Sequence, residues 1–180
     1  MSVVEPVAAR AETVAAAEFR ASFELFCHEY HPKVRRFLQG QCADLDLVQE
    51  AVQEVFITAW AKWGHLREFE KPLGWLIKTA RYKLMAQQGL RRQNSMATLD
   101  DVPDRLLAAP TNAQEARDLL AEWLRQLPPR QSEILQMSLD GWSDDEIARV
   151  LGVAYNTVRT YKRVARQRLR RIAEEAGFKA

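Results

Sequence analysis

Cysteine is nearly missing from this chain: Cys27 and Cys42 are the only two in 180 residues. So few thiols suit a reducing compartment, where they serve as packing residues, and argue against a disulfide-built fold. Glycine and proline are scarce, at seven each. An all-β sandwich needs turn signals about every ten residues, so an almost entirely helical chain is expected. No apolar run approaches the roughly 18 residues of a membrane span, and no membrane insertion is expected. The first twenty residues, MSVVEPVAARAETVAAAEFR, are alanine-rich but interrupted by Glu5, Pro6, Arg10 and Glu12. They lack the apolar centre of a signal peptide, which points to a cytoplasmic protein. There is no P-loop, no glycine-rich dinucleotide turn and no nucleophile elbow. The expectation is a protein without catalytic residues or cofactor, not an enzyme by itself. Cys27, His28 and His31 lie close in sequence, with Cys27 and His31 on one helical face. That is half a metal site at most, and no metal is expected.

What is present is charge sorted by sign. The net charge is only +2. Yet Lys71 to Arg92 holds six bases and no acid, and Ala154 to Ala173 holds seven bases and no acid. Between them, Gln93 to Val153 has five bases against eleven acids. Two basic blocks separated by an acidic one suggest two polyanion-facing surfaces.

Apolar spacing organises the chain into helices. Residues 1–15 read as an N-terminal tail. A helix is predicted from about Glu18 to Gln39, with Phe19, Phe23, Phe26, Tyr30, Val34, Phe37 and Leu38 on one face. Pro32 should kink or split it. Asp44 is placed to cap a second helix ending near Trp63, and a loop follows from His65 to Lys71. Pro72 opens a third helix to about Gln88, burying Leu73, Leu76, Ile77, Ala80 and Leu84 and exposing Lys78, Arg81, Tyr82 and Met85. Residues 93–112 break the pattern and read as a linker. Thr111 with Gln114 suggests a capping box for a helix to Gln126. Pro129 opens another helix to about Asp140. The fold class is all-α: two small helical domains, 16–92 and 113–180, joined by a flexible linker.

The stretch Asp46 to Trp60, DLVQEAVQEVFITAW, carries Gln-Glu twice, one helical turn apart. Leu45, Val48, Val52, Val55, Phe56, Ala59 and Trp63 form an apolar stripe. Asp46, Gln49, Glu50, Gln53 and Glu54 occupy the other side. From Asp44 to Glu54 there are four acids and no base. Such a face is either simply solvated or a docking surface for a basic partner.

At the other end, Ser143-Asp-Asp-Glu146 is a capping box for a short helix to Leu151, Gly152 makes a tight turn, and a last helix runs from about Tyr155 to Glu175. Ile147, Ala148, Leu151, Val153, Val158, Ala165 and Leu169 supply the small core of a helix-turn-helix, whose second helix enters the DNA major groove by its N-terminal end. Asn156, Thr157, Arg159, Thr160 and Arg163 sit where base edges and phosphates would be met, while Lys162 and Arg166 suit phosphates.

QEVFITAW at 53–60, WLIKTAR at 75–81, and LPPRQSEILQMSLDGWSDDEIARVLGVAYNTVRTYKRVARQRL at 127–169 together resemble a bacterial RNA polymerase σ factor of the σ-70 family, extracytoplasmic-function (ECF) group. The C-terminal motif alone is shared with many helix-turn-helix regulators; the N-terminal half makes the resemblance specific. It implies that Gln53, Glu54, Phe56 and Trp60 carry the motif that docks on the β′ clamp helices of core RNA polymerase, with Glu50 where an acid is usual and Gln49 where a second acid is common. It also implies that the helix from Pro72 reads the −10 promoter element and that the turn before it captures a flipped base. Arg67, Phe69, Trp75, Lys78, Arg81, Tyr82 and Lys83 offer bases and aromatic faces for that task. Tyr82 stands where Asn is frequent and Ala86 where Asp is frequent. By the same resemblance residues 113–173 read the −35 element and touch the polymerase β flap, and an anti-σ partner is possible. Lys162 stands where an apolar residue is common. Two other readings compete: a regulator that binds duplex DNA without polymerase, and a protein that holds polymerase inactive.

Overall fold

The structure, a computed structural model, describes residues 7–94 and 112–178. All eight elements among them are helices: α1 (Val7–Gln39), α2 (Leu45–Ala61), α3 (Trp63–Leu66), α4 (Pro72–Asn94), α5 (Ala113–Arg125), α6 (Pro129–Leu139), α7 (Asp144–Leu151) and α8 (Tyr155–Glu175). The residues on which a Thr111 cap or the 93–112 linker would rest lie largely outside the described part; residues 93 and 94 themselves continue α4.

α1 departs from the sequence-based expectation at its start and in its middle. It begins at Val7 and runs through Pro32 as one element. Alanine has the highest helix propensity, so the alanine-rich segment before Glu18 extends the helix N-terminally. The C-terminal half of α1 lays Phe26, Val34, Phe37 and Leu38 into the core. Around Phe26 the rings gather: its centroid lies 4.8 Å from those of Tyr30 and Trp63, and 6.3 Å from that of Phe56.

α2 starts where Asp44 caps it, its Oδ1 accepting from the amides of Asp46 and Leu47 at 3.0 Å each. Leu47, Val48, Ala51, Val52, Val55, Phe56 and Ala59 are buried. The expected stripe is therefore one register position off at its beginning: Leu45 is exposed, and Leu47 with Ala51 takes its place. Leu45 is the first helical residue, before the helix has reached its neighbours. α4 packs Leu76, Ile77, Ala80 and Leu84 against α1 and α2. Overlapping the start of the expected 65–71 loop, Trp63–Leu66 forms one helical turn with both end residues buried.

α5 is capped by Asn112, whose Oδ1 accepts from the amides of Gln114 and Glu115 at 3.0 and 2.9 Å. The capping box on α7 is formed in both directions between Ser143 and Glu146. Gly152 ends α7 at φ +67°, a left-handed conformation that disfavours side chains, and so sets the angle at which α8 leaves.

The two halves share one core. The main cluster joins residues of α1, α2 and α4 to Ile134 and Met137 of α6, Ile147 and Leu151 of α7, and Val158 of α8. A smaller cluster of Leu124, Leu127, Leu135 and Ala165 ties α5, α6 and α8 together. Polar contacts cross the junction as well. Arg36 meets Asp140 at 2.9 Å, Lys71 meets Glu146 at 2.5 Å, and Arg81 meets Glu133 at 2.5 Å.

Two outcomes follow from this packing. Phe26→Ala should lower unfolding stability by about 3–5 kcal/mol, because a large ring leaves a cavity among rings that cannot collapse; urea denaturation measures it, and a loss under about 1 kcal/mol would contradict the packing described. Lys71, followed by the amide and hydroxyl of Ser143, holds the Glu146 carboxyl down from 4.5 to about 2. A depressed carboxyl stabilises the fold above its unfolded value and loses that contribution as pH falls from 4.5 toward 2. Glu146→Gln should therefore be less stable than the parent at pH 6, with the difference closing by about pH 2; thermal unfolding across that range reads it.

Candidate nucleic-acid interface and acidic docking face

α8 presents a groove of about 1040 Å³. Asn156, Arg159, Thr160, Lys162, Arg163 and Arg166 all line it. Thr157, the seventh residue expected there, is half-buried beside Val158. The helix-turn-helix is built as its sequence pattern requires: Val158 and Ala165 face inward, while Arg159, Arg163 and Arg166 are exposed. Lys162 differs from its neighbours. Its ammonium is paired with the Asp144 carboxylate of α7, and both side chains are mostly covered. It braces the two helices of the motif, which accounts for a lysine where a core-facing residue would otherwise sit.

On the opposite end of the chain, α2 shows its acidic face. Asp46, Gln49, Glu50 and Gln53 are exposed and Glu54 is half-buried. These charges are not isolated. Lys83 reaches Glu54 at 3.0 Å, and the Gln87 side-chain amide donates to the same carboxylate at 3.0 Å. Together they hold the Glu54 carboxyl below its usual range, the Lys83 bond contributing most. Arg91 lies 2.5 Å from Asp44 and 3.8 Å from Glu50. Lys83, Gln87 and Arg91 are four residues apart, so one face of α4 runs along the acidic edge of α2.

The residues assigned by sequence to the −10 element do not form one surface. Lys78 and Tyr82 are exposed on α4. Arg67 and Phe69 are exposed in the turn after α3, where the Arg67 guanidinium lies 5.7 Å from the centre of the Phe19 ring and Phe69 meets His65 edge-on at 5.0 Å. Trp75 is half-buried and packs against the main core. Lys83 faces Glu54. Arg81, expected on the exposed side of α4, is instead turned into the junction with α6, where the Arg81 side chain is 11 % and the Glu133 side chain 10 % accessible. Among the described residues no group of three or more His, Cys, Asp or Glu gathers as a metal site, and no helix is long and apolar enough to cross a membrane.

Residues 26–95 match the family Sigma-70 region 2, and residues 117–169 match Sigma-70, region 4. The chain belongs to the σ-70 family, in its extracytoplasmic-function group. The ECF RNA polymerase σ factor SigL of Mycobacterium tuberculosis is 28% identical over 174 residues, covering 94% of this chain and 98% of SigL. The RNA polymerase σ factor CarQ of Myxococcus xanthus is 25% identical over 86% of this chain and 90% of its own length. The same fold occurs in the σ factor RpoE of Bartonella quintana, solved in complex with the anti-σ factor NepR. That structure has a TM-score of 0.68 at 23% identity and covers 85% of this chain and 97% of RpoE.

A σ factor of this family directs transcription initiation by core RNA polymerase at promoter DNA and is not an enzyme. In this σ factor the sequence reading missed several residues beside the expected ones. Tyr155, Gln167 and Arg170 also line the α8 groove. Gln167 and Arg170 follow Arg163 and Arg166 at helical spacing, so continuing the stripe by one turn would have found them. Gln87 and Arg91 escaped because their role depends on a neighbouring helix, which periodicity along one helix cannot reveal.

The structural role of Lys162 separates it from the outward arginines. Arg163→Met and Arg166→Met should each reduce the salt dependence of binding to promoter duplex by about one unit of slope. Lys162→Met should leave that slope nearly unchanged and instead lower thermal stability. A slope change at Lys162 equal to that at Arg163 would contradict this assignment.

Proposed function

We propose that this ECF σ factor divides its work among three surfaces. Asp46, Gln49, Glu50, Gln53 and Glu54 dock on the basic β′ clamp helices of core polymerase. Of the residues expected at the −10 element, the exposed Arg67, Phe69, Lys78 and Tyr82, in the unit 16–92, serve it and the melted strand, while Trp75, Arg81 and Lys83 hold α4 in place. Asn156, Arg159, Thr160, Arg163 and Arg166, in the unit 113–180, serve the −35 element, with Lys162 and Thr157 holding the motif from within, and the same unit meets the β flap. Residues 93–112 connect the two, and the protein works in the cytoplasm.

The observation that carries this reading is the two-sidedness of α2. One side is buried in the core, and the other shows four exposed polar or acidic residues followed by Glu54. A helix so placed cannot turn its acids inward, and its chemistry suits a basic partner helix. The first Gln-Glu pair extends the docking face by one turn. The exposed arginines of α8 support the duplex-reading role in the same way. An anti-σ partner, of the kind bound by the Bartonella RpoE, would regulate the chain by covering its polymerase-binding surfaces.

Glu50→Lys combined with Glu54→Lys should weaken binding to core polymerase by at least about 100-fold, about 2.8 kcal/mol, while the far-UV spectrum and cooperative unfolding are kept. Fluorescence anisotropy of the labelled σ factor titrated with core polymerase measures it. Unchanged affinity in the folded variant would refute the docking face.

A further inference from the structure

We propose, on the reading that the acidic side of α2 docks on core polymerase, that Gln87 of α4 is a positioning residue for that docking: its side-chain amide fixes the Glu54 carboxylate in place without cancelling its charge.

Gln87 stands where the pattern of α4 asks for an apolar residue. The buried seam of this helix runs Ile77, Ala80, Leu84, Gln87, stepping by three or four residues each time. Gln87 is only 8% accessible. Its Nε2 donates to Glu54 Oε1 at 3.0 Å. Its Oε1 is buried and has no hydrogen-bond partner among the described residues. A buried acceptor left unpaired costs stability, so packing alone would favour methionine or leucine here. Turning the amide over gives no relief, because its oxygen would then face a carboxylate. The contact that the polar end does make leads out of the core, to the edge of the exposed side of α2.

Glu54 is held from two directions. Lys83 Nζ lies 3.0 Å from Oε2, while Gln87 takes Oε1. The two holders act differently. Lys83 orients the carboxylate but offsets its charge, which weakens the attraction of a basic partner. Gln87 is neutral, so it orients the carboxylate and leaves the charge whole. Each oxygen can accept a second bond, and the Glu54 side chain stays 45% accessible. A basic side chain of the partner therefore meets an acceptor whose geometry is already set. An unrestrained glutamate would lose rotamer freedom on docking; one tied to a buried amide has lost it beforehand. The hold is also felt in the free chain, where the Lys83 bond and then the Gln87 bond lower the Glu54 carboxyl below its usual range.

Fluorescence anisotropy with core polymerase should compare the parent with Gln87→Met, Glu54→Ala and the double variant, all as full chains. Gln87→Met should bind about three- to tenfold more weakly than the parent, the cost of ordering one long side chain on docking. In the Glu54→Ala background the same substitution should change nothing, since no carboxylate is left to orient. An equal loss in both backgrounds would assign Gln87 to packing and overturn the proposal, as would parent-like binding by Gln87→Met. Glu54→Ala binding as tightly as the parent would instead remove the docking reading on which this role depends. Carbon-13 NMR titration of the free protein gives a second readout: the Glu54 pKa should rise in Gln87→Met, because a bond favouring the charged form is gone. An unmoved pKa would contradict the hold. Gln87→Met should also unfold at a temperature no lower than the parent, having shed an unpaired acceptor. A marked fall, or a chain that does not fold, would show that the glutamine serves the fold and not the docking.

Discussion

Burial of one side of α2 is the constraint from which the rest follows. Val48, Ala51, Val52, Val55 and Ala59 are almost wholly removed from water between α1 and α4. At about 25 cal/mol per Å² of apolar area, no alternative rotation of this helix could compete. That fixes where its acids point. It also fixes α4, whose Leu76, Ala80 and Leu84 must meet the same seam, and therefore the direction of every base on α4. Electrostatics did not arrange these surfaces; they were left over once the apolar residues had been buried.

Within that frame the charges divide into those spent on holding the structure and those left outward. On α4, Lys83 and Arg91 turn to the acids of α2, and Arg81 turns to Glu133 of α6, while Lys78 and Tyr82 face solvent. On α8, Lys162 is tied to Asp144, while Arg159, Arg163 and Arg166 remain exposed. A basic block in sequence is thus not a uniform basic surface. For half-exposed pairs such as Lys83–Glu54 the net stabilisation is small, about 0–1 kcal/mol. Their effect is to orient a carboxylate more than to stabilise a fold, and Glu54 of α2 is held in place by Lys83 and Gln87 of α4.

Much of the fold was legible because its signals are local. The aromatic face of α1, the Asp44 cap, Pro72 and Pro129 at helix starts, the Ser143–Glu146 box and Gly152 each act within a turn or two. The groove on α8 was legible for the same reason, since six of its lining residues follow from one helical stripe. What the sequence did not disclose is what depends on two elements at once. Leu45 satisfies the apolar period but begins its helix too early to reach a neighbour. Arg81 has an exposed position by period alone, yet α6 arrives to cover it. Lys162 looks like another phosphate contact until Asp144 of the preceding helix is placed beside it. The shared core was hidden for a similar reason: Ile147 reads as the interior of a separate helix-turn-helix, and only the packed chain shows it, with Ile134 and Met137, in one core with α1 and α4.

The most direct test of this account is run-off transcription on fragmented genomic DNA from the source organism, with core RNA polymerase in the presence and absence of this protein and the 5′ ends of new RNA sequenced. The account predicts new start sites that appear only with the protein and share two upstream elements, one near −10 and one near −35. Folded protein with active core polymerase and no new start sites would contradict it.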